Sequence, residues 1–469
     1  MSAESDRAAN VAWGLALATI GASLVAVLVF VAGTLGARLP YWGEAEPLFE
    51  AARLRSGLPL FVDPQIGATD LGEPPSRWLV TYPPLWTAVL AVFPSSVAMV
   101  AGRVIATAAW FGALGFAVHA APKDRRRDAA TCAVIVGGSW VLANFATVAR
   151  PDALACGIAV VALVRSARRG AVGPLEAALF ALVPFVKPTV IGLPVGALLA
   201  DAIVRRKPHA VGVAFAVAVV VGVGLHLGSG GALFAHVVGS NAQPMTLAAW
   251  MDHVPSRLPF FLPLFALAVR DGWSDRRAPG AAIATGGLVG AIGWVLVALA
   301  KTGSASNYWM EPCAAAVVVV ARSAPGPFRV FGGGVFHGVA ALAYALYVGV
   351  ASIGASFEHL RDYRADAAFV ATLRERCGAL PTDLVAADEA GIELALDGRI
   401  LTATYQTAWL VNAGRYPVAT WTRDLASSRV RCFVVHSGDL APAPEIARFV
   451  DASFVEKHRE RGFRVLAKP

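Results

Sequence analysis

The chain has 469 residues, of which 57% are hydrophobic and only 15% charged, and its mean hydropathy is +0.59. That balance excludes an ordinary water-soluble globular protein and defines an integral membrane protein. The formal net charge of +8 does not mark a nucleic-acid binder, because the cations gather in alternate loops between apolar runs, where they report topology.

The first apolar run, residues 11–35, is long enough to cross a hydrocarbon core of ~30 Å. Its mixed-charge start (Glu4, Asp6, Arg7) and its length argue for a retained first helix over a cleaved signal peptide. A long first loop, residues 36–83, follows. Further spans are predicted at residues 84–120 (a full span preceded by a short or re-entrant piece), 129–146, 151–167, 174–186 and 188–204. The remaining ones are predicted at residues 209–228, 258–270, 280–300, 307–322 and 331–354. The expectation is a polytopic α-helical membrane protein with about eleven transmembrane helices.

One set of loops carries Lys123, Arg125, Arg126 and Arg127, then Arg165, Arg168 and Arg169, then Arg205, Arg206 and Lys207, then Arg270, Arg276 and Arg277, and finally Arg322 and Arg329. The positive-inside bias makes these loops cytoplasmic. The other loops hold Arg38, Arg53, Arg55 and Arg77 in the long first loop, then Arg150, Lys187, Arg257 and Lys301 singly. The N-terminus is thus expected in the cytoplasm of a bacterial inner (plasma) membrane, with the first loop outside.

Past residue 354 the sequence turns polar and mixed. Strand-like runs at Asp383 to Ala387 and Arg431 to His436, and helix-like runs at Asp366 to Glu375 and Pro444 to Phe449, predict a small α/β domain. The expected division is a transmembrane domain, residues 1–354, and an extracytoplasmic α/β domain, residues 355–469. Cys132, Cys156 and Cys313 fall in predicted helices as packing residues. Cys377 and Cys432 stand alone in the outer domain, where an oxidising compartment permits a disulfide. No Cys/His spacing points to zinc.

Glu44 and Glu46, in Tyr41-Trp42-Gly43-Glu44-Ala45-Glu46, follow the first span at the outer water interface. A carboxylate there is placed to act as a general base. The alternative is a solvated pair, or acids in the first turn of an amphipathic helix from Pro47 to Arg55, where they favour the positive helix end. In Arg150-Pro151-Asp152, Pro fits a first helical turn and Asp152 its N-terminus. Arg150 either complements the dipole of the preceding helix or binds a lipid phosphate with its fork of donors. Lys187-Pro188-Thr189 repeats the arrangement, and Lys301 with Asn307-Tyr308-Trp309 marks a third outer turn. Snorkelling cations and an aromatic belt are the simpler explanations. Glu311, just inside a predicted helix, needs a partner or a cavity. Together these residues suit a membrane-borne phosphate and a hydroxyl acceptor from water. A sugar on a lipid phosphate has a good leaving group, so one base and a set of cations suffice, unlike glycoside hydrolysis with its second carboxyl acid.

The acidic motif Gly43-Glu44-Ala45-Glu46, the stretch from Ala51 to Leu60, Tyr82-Pro83-Pro84-Leu85, Arg150-Pro151-Asp152, Lys187-Pro188-Thr189 and Asn307-Tyr308-Trp309 resemble the GT-C superfamily of membrane glycosyltransferases. The resemblance is to the branch of protein O-mannosyltransferases and aminoarabinose transferases. It implies transfer of a sugar from a polyprenyl-phosphate donor to an extracytoplasmic acceptor hydroxyl, with inversion and with a first-loop acid as base. Carried over by position, Glu44 is the first choice and Glu46 the second. Arg150, Lys187 and Lys301 would bind the donor phosphate, and Tyr82, Asp152, Asn307, Tyr308 and Glu311 would line the substrate cavity. The family more often shows Asp, or adjacent Asp-Glu, where this chain has two Glu separated by Ala45, which leaves the base open between them. Some members are linked to divalent metals, but no cluster in this sequence requires one, and the sequence itself calls for no cofactor. The expected partners are the lipid-linked donor, membrane lipids and a glycan, lipid or protein acceptor, not nucleic acid. A transporter or flippase of lipid-linked glycans is the competing reading, disfavoured by the lack of repeated halves. A membrane-anchored sensor would not need so many spans.

Overall fold

The computed structural model describes residues 3–61, 80–239, 241–323, 335–401, 404–414, 417–427, 429–436, 438 and 440–469. Arg77 and Arg329, read above as loop cations, lie outside the described residues. The helices in chain order are α1 (Ala3–Thr34), α2 (Ala45–Arg55), α3 (Leu85–Ala91), α4 (Ser95–His119), α5 (Arg126–Gly137), α6 (Trp140–Ala146) and α7 (Asp152–Arg169). There follow α8 (Pro174–Val186), α9 (Gly192–Arg205), α10 (His209–Gly228), α11 (Leu247–Ser274), α12 (Pro279–Ala298), α13 (Met310–Arg322) and α14 (Val335–Val370).

Five of these (α1 from Arg7, α4, α10, α12, and α14 from Val339) are long and apolar enough to cross a membrane, and six if α5 and α6, bent by 74° at their junction, form one broken span. The bend falls at Gly138, where a Cβ would come within 2.7 Å of Ser23 Oγ and 2.9 Å of Leu24 N, so only glycine lets α1 approach. The other predicted runs are also helical, as α7, α8, α9, α11 and α13, but fall short of a full span in length or hydropathy; α8 and α13 have 13 residues each. The apolar surface of α10 points outward, with Phe215 70%, Val220 72% and Leu227 72% exposed. Such a face is stable against lipid and not against water, and the chain is an integral membrane protein.

The chain forms two compact units. The first comprises residues 1–35, 103–223 and 244–359. At its centre α13 is buried from Met310 to Ala321, and α7 is buried along most of its length. Helices α9 and α12 meet backbone to backbone through Gly192, Gly196, Gly286 and Gly290: a Cβ on Gly196 would stand 2.2 Å from the Gly286 carbonyl oxygen. Small residues every fourth position are how membrane helices gain close van der Waals packing. Gly196→Val is expected to cost about 1–3 kcal/mol by overpacking, read as a lower unfolding temperature of the detergent-solubilised protein. An unchanged temperature would mean that α9 and α12 can separate freely.

The second unit comprises residues 36–102, 224–243 and 360–469. Its C-terminal part adds α15 (Leu373–Cys377), β1 (Leu384–Ala387), α16 (Ala390–Asp397), α17 (Thr404–Asn412), α18 (Val418–Ala426), β2 (Val430–Val435), α19 (Pro444–Ser453), β3 (Val455–Glu460) and β4 (Phe463–Ala467). The sheet order is β1-β2-β4-β3, with β1 parallel to β2 and the other pairs antiparallel. Alternation along the strands builds two apolar layers. Leu384, Ala386, Phe433 and Leu466 pack with Trp421, Leu425 and Ile446 on one face, and Val385, Ala387, Val434 and Val465 with Phe369, Leu373 and Ile392 on the other. Cys377 and Cys432 form a disulfide, with Cα atoms 5.9 Å apart. Of the remaining cysteines, Cys156 and Cys313 are buried and Cys132 is half-buried. The first loop belongs to this same unit: Ala45 and Phe49 of α2 pack against Leu60, Val80, Ile400 and Leu394.

Candidate active site

In the first unit three helix breaks bring two of the three predicted cations, and Asn307, to one carboxylate. Pro151 is the N-cap of α7 at φ −71°, so Asp152 opens the helix and Arg150 stands just outside it. Lys187 ends α8 in an extended conformation (φ −145°, ψ 108°), as a residue before proline prefers. Asn307 lies on a short 3₁₀ turn, Ser306–Trp309, ahead of α13. Arg150 Nε donates to Asp152 Oδ2 at 3.2 Å. Lys187 Nζ lies 3.2 Å from Asp152 Oδ1, and Asn307 Nδ2 donates to the same oxygen at 2.5 Å. All four residues are buried. The Arg150 guanidinium also sits 5.4 Å from the centre of the Phe145 ring, and Trp294 Nε1 donates to the Thr189 carbonyl at 2.7 Å, holding the Lys187 turn. Two buried cations thus meet one buried anion, an arrangement that is stable only where each charge has a partner.

Lys301 stands near Lys187, half-buried, with no ion pair among the described residues. Burial, then the Lys187 charge, hold its amine down at about 8. Glu311 is buried, and its Oε1 accepts from Leu193 N at 2.7 Å, at the N-terminus of α9. A carboxylate there complements the helix dipole. Its Oε2 and Asn307 Oδ1 are buried acceptors with no hydrogen-bond partner among the described residues. Tyr308 is half-buried. Trp309 corrects the belt expectation: it is fully buried, 5.8 Å from Phe261 and 6.1 Å from Phe265 in ring centres, because the 3₁₀ turn directs it into the helix core.

In the second unit the acidic motif forms a closed turn. Glu44 N donates to the Tyr41 carbonyl at 2.9 Å, with Gly43 at φ +74° supplying the left-handed position such a turn demands. The Glu44 carboxylate folds back, and its Oε2 accepts from Tyr41 N at 2.7 Å. Glu44 is the N-cap of α2 yet makes no side-chain cap, and it is completely buried. Glu46 is half-buried in the first turn of α2, as the simpler reading of the pair expected. The structure thus separates two carboxylates that look equivalent in sequence. Tyr82 is half-buried in the same unit.

Several polar residues of this unit escaped the sequence reading. Glu50 is buried and accepts from Thr87 Oγ1 at 2.8 Å. Arg53, read as a loop cation, is buried and donates to the Pro59 carbonyl at 2.8 Å. His436 Nδ1 and Glu389 Oε2 are 3.1 Å apart. Their only signal in the sequence is polarity directly after a strand, where ligand sites of parallel sheets gather. No group of three or more His, Cys, Asp or Glu is placed to hold a metal among the described residues.

No family model matches the chain, and no curated protein matches it in sequence. Solved structures do. The apo crystal structure of ArnT from Cupriavidus metallidurans is 14% identical, with a TM-score of 0.57 over 95% of this chain and 97% of that one. ArnT from the same organism bound to undecaprenyl phosphate is 15% identical, with a TM-score of 0.56 over 94% and 96%. The chain has the ArnT fold over nearly its whole length, which is the fold that the GT-C resemblance implies.

Proposed function

We propose that this protein is a membrane glycosyltransferase that moves a sugar from a polyprenyl-phosphate donor to an extracytoplasmic acceptor hydroxyl with inversion. The observation that carries the reading is the buried Arg150–Asp152–Lys187–Asn307 cluster, which sets two cations around one carboxylate, in a fold shared with a protein whose structure holds undecaprenyl phosphate. In the proposed reaction Glu44 takes the proton of the acceptor hydroxyl as its oxygen attacks the anomeric carbon. The bond from that carbon to the phosphate oxygen breaks, and Arg150, Lys187 and Lys301 hold the charge of the departing lipid phosphate. Asp152 keeps the two buried cations in place. Tyr82, Asn307, Tyr308 and Glu311 face substrate. We also propose the eleven-crossing topology, with a cytoplasmic N-terminus in a bacterial inner membrane and the C-terminal sheet outside.

The test is purified protein in lipid vesicles with a radiolabelled polyprenyl-phosphate sugar, which should release or transfer the label. Retained full activity in both Glu44→Gln and Glu46→Gln would sink the mechanism. A lipid flippase predicts movement of the label across the vesicle without cleavage, and indifference to Glu44→Gln.

Two further outcomes follow from the cations. Arg150→Ala and Lys187→Ala should each weaken donor affinity by about 1.5–3 kcal/mol, the range for a hydrogen bond to a charged group, visible in a binding titration with polyprenyl phosphate. Unchanged affinity in both would return them to a purely structural role. Because the Lys301 amine is held at about 8, it is charged at pH 7 and loses that charge as the pH rises through 8. Donor affinity should therefore fall between pH 7 and 9 in the natural protein and stay level in Lys301→Arg, and equal slopes would remove Lys301 from the phosphate site.

A further inference from the structure

Helix α11 is fastened to its neighbours at two levels. Trp250 Nε1 donates to the Leu296 carbonyl of α12 at 3.0 Å, and Phe261 and Phe265 rest on the Trp309 ring ahead of α13. Beside these contacts a groove of about 850 Å³ runs between α11 and α12, lined by Leu258, Leu262, Ala266 and Val269 from α11 and by Ile292 and Leu296 from α12. The four α11 residues recur every third or fourth position, so they form one stripe along the helix. Ala266 is exposed and Leu262 is 53% exposed, which leaves the stripe open to the side. In an integral membrane protein such a stripe faces acyl chains.

The groove has one cationic end. Helix α11 is uncharged from Leu258 to Val269, a rise of about 18 Å at 1.5 Å per residue. One leaflet of hydrocarbon is about 15 Å deep, half of the full core. Where the uncharged run stops, Arg270, Trp273 and Ser274 complete the lining. Trp273 is 62% exposed, and the Arg276 guanidinium lies over its ring, 5.0 Å from the centre, while donating to its carbonyl at 2.9 Å. An indole carrying a stacked guanidinium suits the headgroup level, where one end is apolar and the other wet. Residues 270–277 hold three arginines (Arg270, Arg276, Arg277) and two acids, and Asp271 is turned inward to the buried Arg125 at 3.1 Å.

We propose that this groove binds one anionic phospholipid, with an acyl chain along the stripe from Leu258 to Val269 and the phosphate held by Arg270 and Arg276. Charge selects the headgroup, as in other basic pockets between membrane helices. The length of the apolar run selects a chain of leaflet depth. The site is separate from the candidate donor site: its cationic end is at the turn into α12, whereas Lys301 and Asn307 follow the other end of that helix, whose 20 residues rise about 30 Å. It requires the membrane setting and not the glycosyltransferase reading.

The test is native mass spectrometry of the full-length protein, released from detergent micelles that contain equimolar phosphatidylglycerol and phosphatidylcholine with the same acyl chains. The natural protein should retain one phosphatidylglycerol in preference to phosphatidylcholine. Arg270→Gln and Arg276→Gln should each cut that preference about fivefold, the weight of one cation against an anionic membrane surface. Ala266→Trp, which fills the groove and keeps both arginines, should abolish retention. Equal retention of the two lipids by the natural protein overturns the proposal, since the groove then holds only an unselective lipid layer. Full retention in Ala266→Trp overturns it as well, because the headgroup would then bind without the groove. Preferential retention of polyprenyl phosphate, offered at the same concentration as phosphatidylglycerol, gives the groove to the carrier lipid instead. If Ala266→Trp fails to fold, the double variant Arg270→Gln/Arg276→Gln decides, and an undiminished preference there overturns the proposal.

Discussion

Glu44→Gln is expected to lower sugar transfer by about two to four orders of magnitude, the range for losing a general base, while leaving the protein folded. The substitution is nearly isosteric, and the glutamine carbonyl can still accept from Tyr41 N, so the turn around Gly43 survives. What it removes is the ability to take a proton. Glu46→Gln is expected to have a smaller effect, because Glu46 is half-buried in the first turn of α2, where a negative charge favours the helix end. Turnover of labelled donor, with the folded fraction checked by gel filtration, gives the comparison. Loss in Glu46→Gln with retention in Glu44→Gln would transfer the role to Glu46.

Asp152→Ala is expected to destabilise the protein by about 3–5 kcal/mol, the cost of breaking a buried ion pair from one side. Arg150 and Lys187, both buried, would lose Asp152 Oδ2 and Oδ1 respectively, and Asn307 would lose the Oδ1 acceptor of its 2.5 Å hydrogen bond. Asp152→Asn should fall between, since it keeps the shape and loses the charge. Pairing Asp152→Ala with Lys187→Met should recover part of the loss, because one stranded cation goes with the anion. Thermal unfolding in detergent measures all three. An unfolding temperature unchanged in Asp152→Ala would show that the cations have other counter-charges.

Much of this site was legible residue by residue, and little of it pairwise. Arg150, Lys187 and Asn307 each stood out as polar groups at turns between apolar runs. That they share Asp152 was not legible, because Asn307 is 155 residues from it and no local pattern encodes that meeting. Trp309 was misplaced for a related reason, since an aromatic at a helix end looks the same whether it faces lipid or core. Among the C-terminal strands, β1 and β2 carry dense apolar runs and were visible, whereas β3, Val455–Glu460, is polar and exposed along nearly all its length and offered no alternation to read. The separation of Glu44 from Glu46 belongs to the same class. Two residues apart in sequence, they differ only in which one the turn at Gly43 folds inward.

By itself the sequence determined that this is a polytopic helical membrane protein with a mixed C-terminal tail and an acidic motif after its first helix. Hydropathy, proline breaks and loop charge are local properties and survive without knowledge of the fold. Tertiary structure alone decided that Glu44 is buried, that two cations close on Asp152, and that the first loop and the C-terminal sheet belong to one compact unit. Those outcomes depend on close contacts between residues far apart in the chain, and only packing decides which distant side chains come within hydrogen-bonding distance.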